Sequence, residues 1–254
     1  MRRTKFKPEC SKRSYKKTNK TKRNQSRKKV GWKKIYSLLL TSNGKMLESI
    51  LQSETFPYAL AVWQSRVRIV QRNAFAITAQ ELGVVSRIKS ILETTLDTPI
   101  YLGRVECNKK AAKLKYRLVL WSKPLMDLLY KETRGNTAIP RFAKESVGKR
   151  RNYIRGFLER GCVTYSTHNV RRFDDYRIKY PRITLTKVRG GELLGSLANL
   201  LRAEGISPSF TENFLGINKQ SDIRKIIKKE LVMGSKLDEL KELHVTLREY
   251  QEIS

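Results

Sequence analysis

The residues able to do chemistry in this chain are overwhelmingly cations. Lys113, Lys115 and Arg117 alternate with Leu114, Tyr116 and Leu118, so in a strand the three charges project from one face while the apolar set packs beneath. Arg66 and Arg68 alternate with Val67 and Ile69 in the same manner, and Arg171, Arg172, Arg177, Lys179 and Arg182 supply a comparable set further on. No acid interrupts Lys109, Lys110, Lys113, Lys115 and Arg117, whereas a surface selected only for solubility mixes signs. Such faces suit a phosphate backbone. Tyr15, Trp32, Tyr101, Tyr165 and Tyr176 are candidates to stack on unpaired bases.

The overall charge supports the same partner class. The chain has 254 residues, 54 Lys plus Arg and 23 Asp plus Glu, a formal net charge of +31. Residues 1–34 hold 16 of the cations, Lys16, Lys17, Lys28 and Lys29 among them, and one acid, Glu9. That segment is nearly devoid of aliphatic side chains, so burial cannot offset its ordering entropy; it is expected to be a disordered arm that binds a polyanion. No apolar run approaches the roughly 20 residues a membrane span needs, and no membrane partner is expected.

Constellations for catalysis are sparse. His168 and His244 are far apart in sequence and isolated from acids, which suits surface or structural roles better than a proton relay. Asp174 and Asp175 are adjacent and would point to opposite faces of a strand, so they read as turn formers. Gly190-Gly191 reads as a helix start. Cys10, Cys107 and Cys162 form no Cys-x-x-Cys pair, which argues against a zinc site or a disulfide scaffold.

The elements that must position these residues repeat loosely as two αββαββα units joined by a linker at 133–148. In the first unit the pattern predicts a helix over Trp32–Leu40, β character over Tyr58–Ile77 and a helix over Gln80–Leu96. Strands over Ile100–Cys107 and Lys113–Leu120 and a helix over Lys123–Tyr130 complete it. The second unit reads as helix Lys149–Arg160, strands near Cys162–His168 and Lys179–Thr186, and helix Gly191–Ala203 with a leucine stripe. A hairpin within Ser207–Ile217, a basic helix over Lys219–Leu231 and a closing helix over Ser235–Tyr250 follow.

Within this frame, Tyr153-Ile-Arg-Gly-Phe-Leu-Glu-Arg-Gly-Cys-Val163, followed by a strand pair with Tyr-Pro-Arg-Ile-Thr-Leu-Thr186 and an apolar helix, resembles the LAGLIDADG homing endonucleases and intron maturases. Their second motif commonly reads (Y/F)-(I/L)-R-G-F-F-(D/E)-x-D-G-(C/S)-V. A weaker copy is Tyr36-Ser-Leu-Leu-Leu-Thr-Ser-Asn-Gly44. The resemblance spans roughly residues 32–245, and it implies two helices packed face to face, each delivering one acid to a shared metal centre that cleaves DNA. This chain departs from the motif: Asn43 occupies the first acid position, the second is either Gly161 or lost to a one-residue deletion between Arg160 and Gly161, Arg160 lies beside it, and Glu159 is the only nearby carboxylate.

The resulting expectation is an α+β protein of two pseudo-symmetric αββαββα LAGLIDADG-like halves with a basic disordered N-terminal extension. Its divisions are an arm at 1–34, a first half at 35–132, the linker at 133–148, and a second half with closing helix at 149–254. The implied activity is binding and stabilising structured RNA, either organellar ribosomal RNA or a group I intron, by a monomeric pseudo-dimer that has lost nuclease activity and holds no metal. RNA is preferred over DNA as partner, ribosomal proteins are further partners, and kinship points to a mitochondrion or chloroplast. Two alternatives stay open: a homing endonuclease that cuts duplex DNA with Mg2+, and a DNA-binding regulator.

Overall fold

A computed structural model describes residues 44–66, 73–105, 115–169, 177–186 and 191–242. Helix α1 (44–52) leads into α2 (Phe56–Arg66), then β1 (Ala74–Ala79), α3 (Leu82–Leu96), β2 (Tyr101–Val105), β3 (Lys115–Trp121) and α4 (Lys123–Glu132). The second half runs α5 (Val147–Leu158), β4 (Cys162–Asn169), β5 (Arg177–Thr186), α6 (Gly191–Ala203), β6 (Ser209–Phe210), β7 (Phe214–Ile217) and α7 (Gln220–Lys228). A closing helix α8 covers 235–242.

Both sheets are antiparallel, ordered β1-β3-β2 and β4-β5-β7-β6. Superimposing β1 on β5, β3 on β7 and β2 on β6 makes the two orders agree, so the expected repeat is present in the topology. The second half is a complete αββαββα unit, and the fold class is the α+β arrangement that the sequence predicts.

Local sequence accounts for most boundaries. Ser146 caps α5 by accepting the Lys149 amide at 3.0 Å, and Ser122 caps α4 by accepting the Leu125 amide at 3.3 Å with Pro124 in the first turn. Helix α6 buries Leu193, Leu194, Leu197, Leu200 and Leu201 along one stripe, as its leucine spacing predicts.

Two expectations are corrected. The residues 58–66, read as β, form helix α2, in which all but Arg66 are buried. A helix enclosed on every side shows no polar stripe, and a short apolar run has no period that separates it from a buried strand. The segment 133–148, read as a linker, is packed: Ile139, Phe142 and Ala143 are buried, and the Phe142 ring lies 6.3 Å from that of Phe56. The predicted helix Trp32–Leu40 lies outside the described residues.

Candidate nucleic-acid interface

Helices α2 and α5 form the closest helix pair of the fold. A Cβ added at Gly156 would lie 2.3 Å from the Tyr58 carbonyl oxygen and 2.8 Å from Ala61 Cβ, so a residue without a side chain is required where the backbones meet. The contact is reciprocal about this point. The Tyr153 hydroxyl donates to Gln64 Oε1 at 2.6 Å, and the Tyr58 hydroxyl interacts with the Glu159 carboxylate. Tyr58, Ala61 and Gln64 therefore match Tyr153, Gly156 and Glu159, each at intervals of three. Five residues beyond Gly156 stands Gly161; five beyond Ala61 stands Arg66.

This register corrects the first motif. Among the described residues the helix paired with α5 is Phe56–Arg66, and matching it to the motif puts Arg66 at the first of the two positions that the resemblance gives to acids. Asn43 itself lies outside the described residues. Arg66 ends α2 as a helix residue and is not part of a strand, and Gly161 turns the chain from α5 into β4.

The C-terminal ends of α2 and α5 converge, and the carbonyls there that no helix amide takes up collect cations, as the negative end of a helix favours. Arg160 donates to the Ser65 carbonyl, and Lys236 of α8 donates to the Glu159 carbonyl and to that of Leu158 at 3.4 Å. Arg66 reaches the Glu159 and Thr78 carbonyls, each at 3.5 Å, while its Nε is buried with no protein acceptor among the described residues. Glu159, 5% exposed, meets Arg87 at 3.5 Å. Burial holds its carboxyl above the ordinary value, against the pull of Lys236 and Arg87. Burial likewise depresses the pKa of Arg66 and of Lys236, against the pull of Glu159 and Glu81.

These groups border an open cleft of about 800 Å³, lined by the cations Arg66, Lys115, Arg117, Arg160 and Lys236 and the acids Glu81, Glu159 and Glu239. The donor set does not fit a divalent metal. Mg2+ and Ca2+ require clustered anionic oxygens, but one acid position is a guanidinium and the other lacks a side chain. The single carboxylate between them is already engaged by Tyr58, Arg87 and Lys236. Among the described residues no group of three His, Cys, Asp or Glu is placed to hold a metal ion. A phosphate oxygen suits the excess of cations better.

Of the cations that the sequence nominates, Lys115 and Arg117 lie on β3, half-exposed and exposed respectively, and border the cleft. Arg182 alternates with buried Pro181 and Ile183 on β5, and its Nε donates to Thr164 Oγ1 across the ladder at 2.9 Å. Arg177 and Lys179 are placed by register alone, opposite Asn169 and Thr167. Arg68, Lys113, Arg171, Arg172, Lys16, Lys17, Lys28 and Lys29 lie outside the described residues. Sequence reasoning missed Lys236, which lines the cleft, and Arg87, which pairs with Glu159 from α3; no motif marks either, and each is placed only because α8 and α3 pack against the helix pair.

No protein-family model matches the chain, and no curated protein matches it in sequence. Solved structures do share its fold. The homing endonuclease I-WcaI bound to its DNA recognition sequence superimposes with a TM-score of 0.50 over 86% of this chain and 95% of that one, at 12% identity. I-SmaMI bound to an uncleaved DNA target in the presence of calcium ions matches with a TM-score of 0.47 over 78% and 93%, at 11% identity. The N-terminal LAGLIDADG domain of DUF199/WhiA gives 0.46 over 78% and 95%, at 15% identity.

Proposed function

We propose that this chain, which has the LAGLIDADG fold, binds and stabilises a structured RNA and leaves its backbone intact. One observation supports the reading: cations gather at the converging helix ends, where Arg66 and Gly161 hold the positions that the resemblance gives to metal-binding acids and Arg160 and Lys236 lie beside them. The binding apparatus is retained while the groups that would recruit metal are replaced by groups that repel it. The +15 arm at residues 1–34 favours RNA, into whose folds such extensions thread. Ribosomal RNA or a group I intron in a mitochondrion or chloroplast, with ribosomal proteins as neighbours, is the setting we assign from kinship.

Binding to an RNA hairpin whose fold is stable in monovalent salt is expected to be equally tight in EDTA and in Mg2+. The RNA and a matched DNA duplex should both remain uncut. Magnesium-dependent, site-specific cleavage that disappears in Glu159→Gln would overturn the reading. Duplex DNA is the competing partner, favoured by the bound DNA of I-WcaI, and tighter binding of duplex than of hairpin at matched salt would select a DNA-binding regulator.

The cleft cations make a second prediction. Each phosphate contact contributes about 0.7 to 0.9 to the slope of log affinity against log salt. Replacing Lys115 and Arg117 by Gln should make the slope shallower by about 1.4 to 1.8, with the thermal midpoint unchanged because neither side chain is buried. An unaltered slope would mean that this strand face is merely solvated.

A further inference from the structure

The first sheet has one face built into the core, with Phe75, Ile77 and Leu118 buried, and the ladder assigns Arg117, Val119, Trp121, Tyr101 and Gly103 to the other. On that second face two large side chains are left in water: Tyr101 is 77% exposed and Trp121 is 74% exposed. Tyr101 pairs with Val119, so Trp121, two residues on, is its diagonal neighbour at about 7 to 8 Å. Ala74 and Ala76, opposite Trp121 and Val119, are too small to shield the rings.

The Tyr101 ring is also laid down rather than upright. A Cβ at Gly103 would lie 2.9 Å from Tyr101 Cε1 and 3.6 Å from Cζ, so the ring leans over Gly103 toward Arg117, away from Trp121, and turns its outer side to solvent. Arg117 lies on the same face, four residues or about 13 Å along β3 from Trp121. Two large aromatic side chains exposed on one sheet face mark a candidate contact surface. Charge complementarity selects its occupant: among the residues of β1, β2 and β3 the face carries Lys115 and Arg117 and no acid, which fits a phosphate chain that can also present planar apolar groups.

We propose that Trp121 and Tyr101 form a shelf on which unpaired bases of the bound nucleic acid stack, while Lys115 and Arg117 hold the adjoining phosphates. This rests on the nucleic-acid reading above and refines it. Paired bases keep their faces within the duplex, so the shelf engages loops, bulges or single strands.

The test uses the full chain carrying Trp32→Phe, which leaves Trp121 and Trp63 as the tryptophans; Trp63 is 2% exposed. Titration with single-stranded oligo(U) should quench the Trp121 emission, and an RNA duplex of equal length should not. Tyr101→Ala and Trp121→Ala should each weaken oligo(U) binding about tenfold or more, leave duplex binding within twofold, and keep the melting temperature. Oligo(U) affinity unchanged in the double variant, or an equal loss for both ligands, would overturn the shelf alone. A wild-type chain that bound neither ligand would overturn the nucleic-acid reading with it.

Discussion

Replacing Gly156 by alanine is expected to cost about 3 kcal/mol of stability, the upper range for an overpacked core. The added methyl would sit 2.3 Å from the Tyr58 carbonyl oxygen, and backbone at the centre of a buried helix pair cannot step aside as a flexible side chain would. The helices must separate, and the Tyr153–Gln64 hydrogen bond and the Tyr58–Glu159 contact on either side of the crossing loosen with them. Gly83→Ala is the control, because that position is exposed and a Cβ there meets nothing within 4 Å. It should gain up to about 1 kcal/mol from the better helix propensity of alanine. Equilibrium denaturation of the two variants decides the matter; a Gly156→Ala protein as stable as wild type would show that the helix contact is not tight.

Glu204 is the site of the second large effect. Its carboxylate, 2% exposed, accepts from Arg150 at 2.7 Å and from Arg151 and Lys229 at 3.0 Å, which ties α5 and the end of α7 to the end of α6. Burial alone would raise its pKa, but the bonds from Lys229, Arg150 and Arg151 outweigh that and pull it from 4.5 to about 2. A depressed carboxylate stabilises the fold above its unfolded value and loses that contribution as pH falls through the folded one. The drop corresponds to about 3 kcal/mol at neutral pH, released between about pH 4.5 and 2. Glu204→Gln should therefore lose about 3 kcal/mol at pH 7 and show a flatter acid limb than wild type. Parallel acid limbs for the two proteins would remove Glu204 from the cause of acid sensitivity.

The contrast between α2 and α5 explains how far the sequence could be read. Helix α5 carries polar residues on one side, a serine cap and the motif glycine, and its predicted span, Lys149–Arg160, differs from the observed Val147–Leu158 by two residues at each end. Helix α2 is its structural twin but is enclosed by α5, α3 and β1, so it has neither a polar stripe nor a glycine at the crossing. Ala61 stands there instead. That loss of signal moved the first motif upstream to Asn43 and turned Arg66 from a cleft residue into a strand residue.

The sequence by itself set the expectation of a polyanionic partner and determined the second half of the fold. An excess of 31 positive charges needs no structure to call for a polyanion, and alternation, caps and a leucine stripe are local features that burial on one face imprints on a chain. Tertiary structure alone decided which groups meet at the ends of the paired helices. Arg66, Arg160 and Lys236 come from three separate segments, and no spacing relates them. They meet because two helix C-termini converge and present carbonyls that draw cations together, which is a property of the packed ends and not of either helix alone.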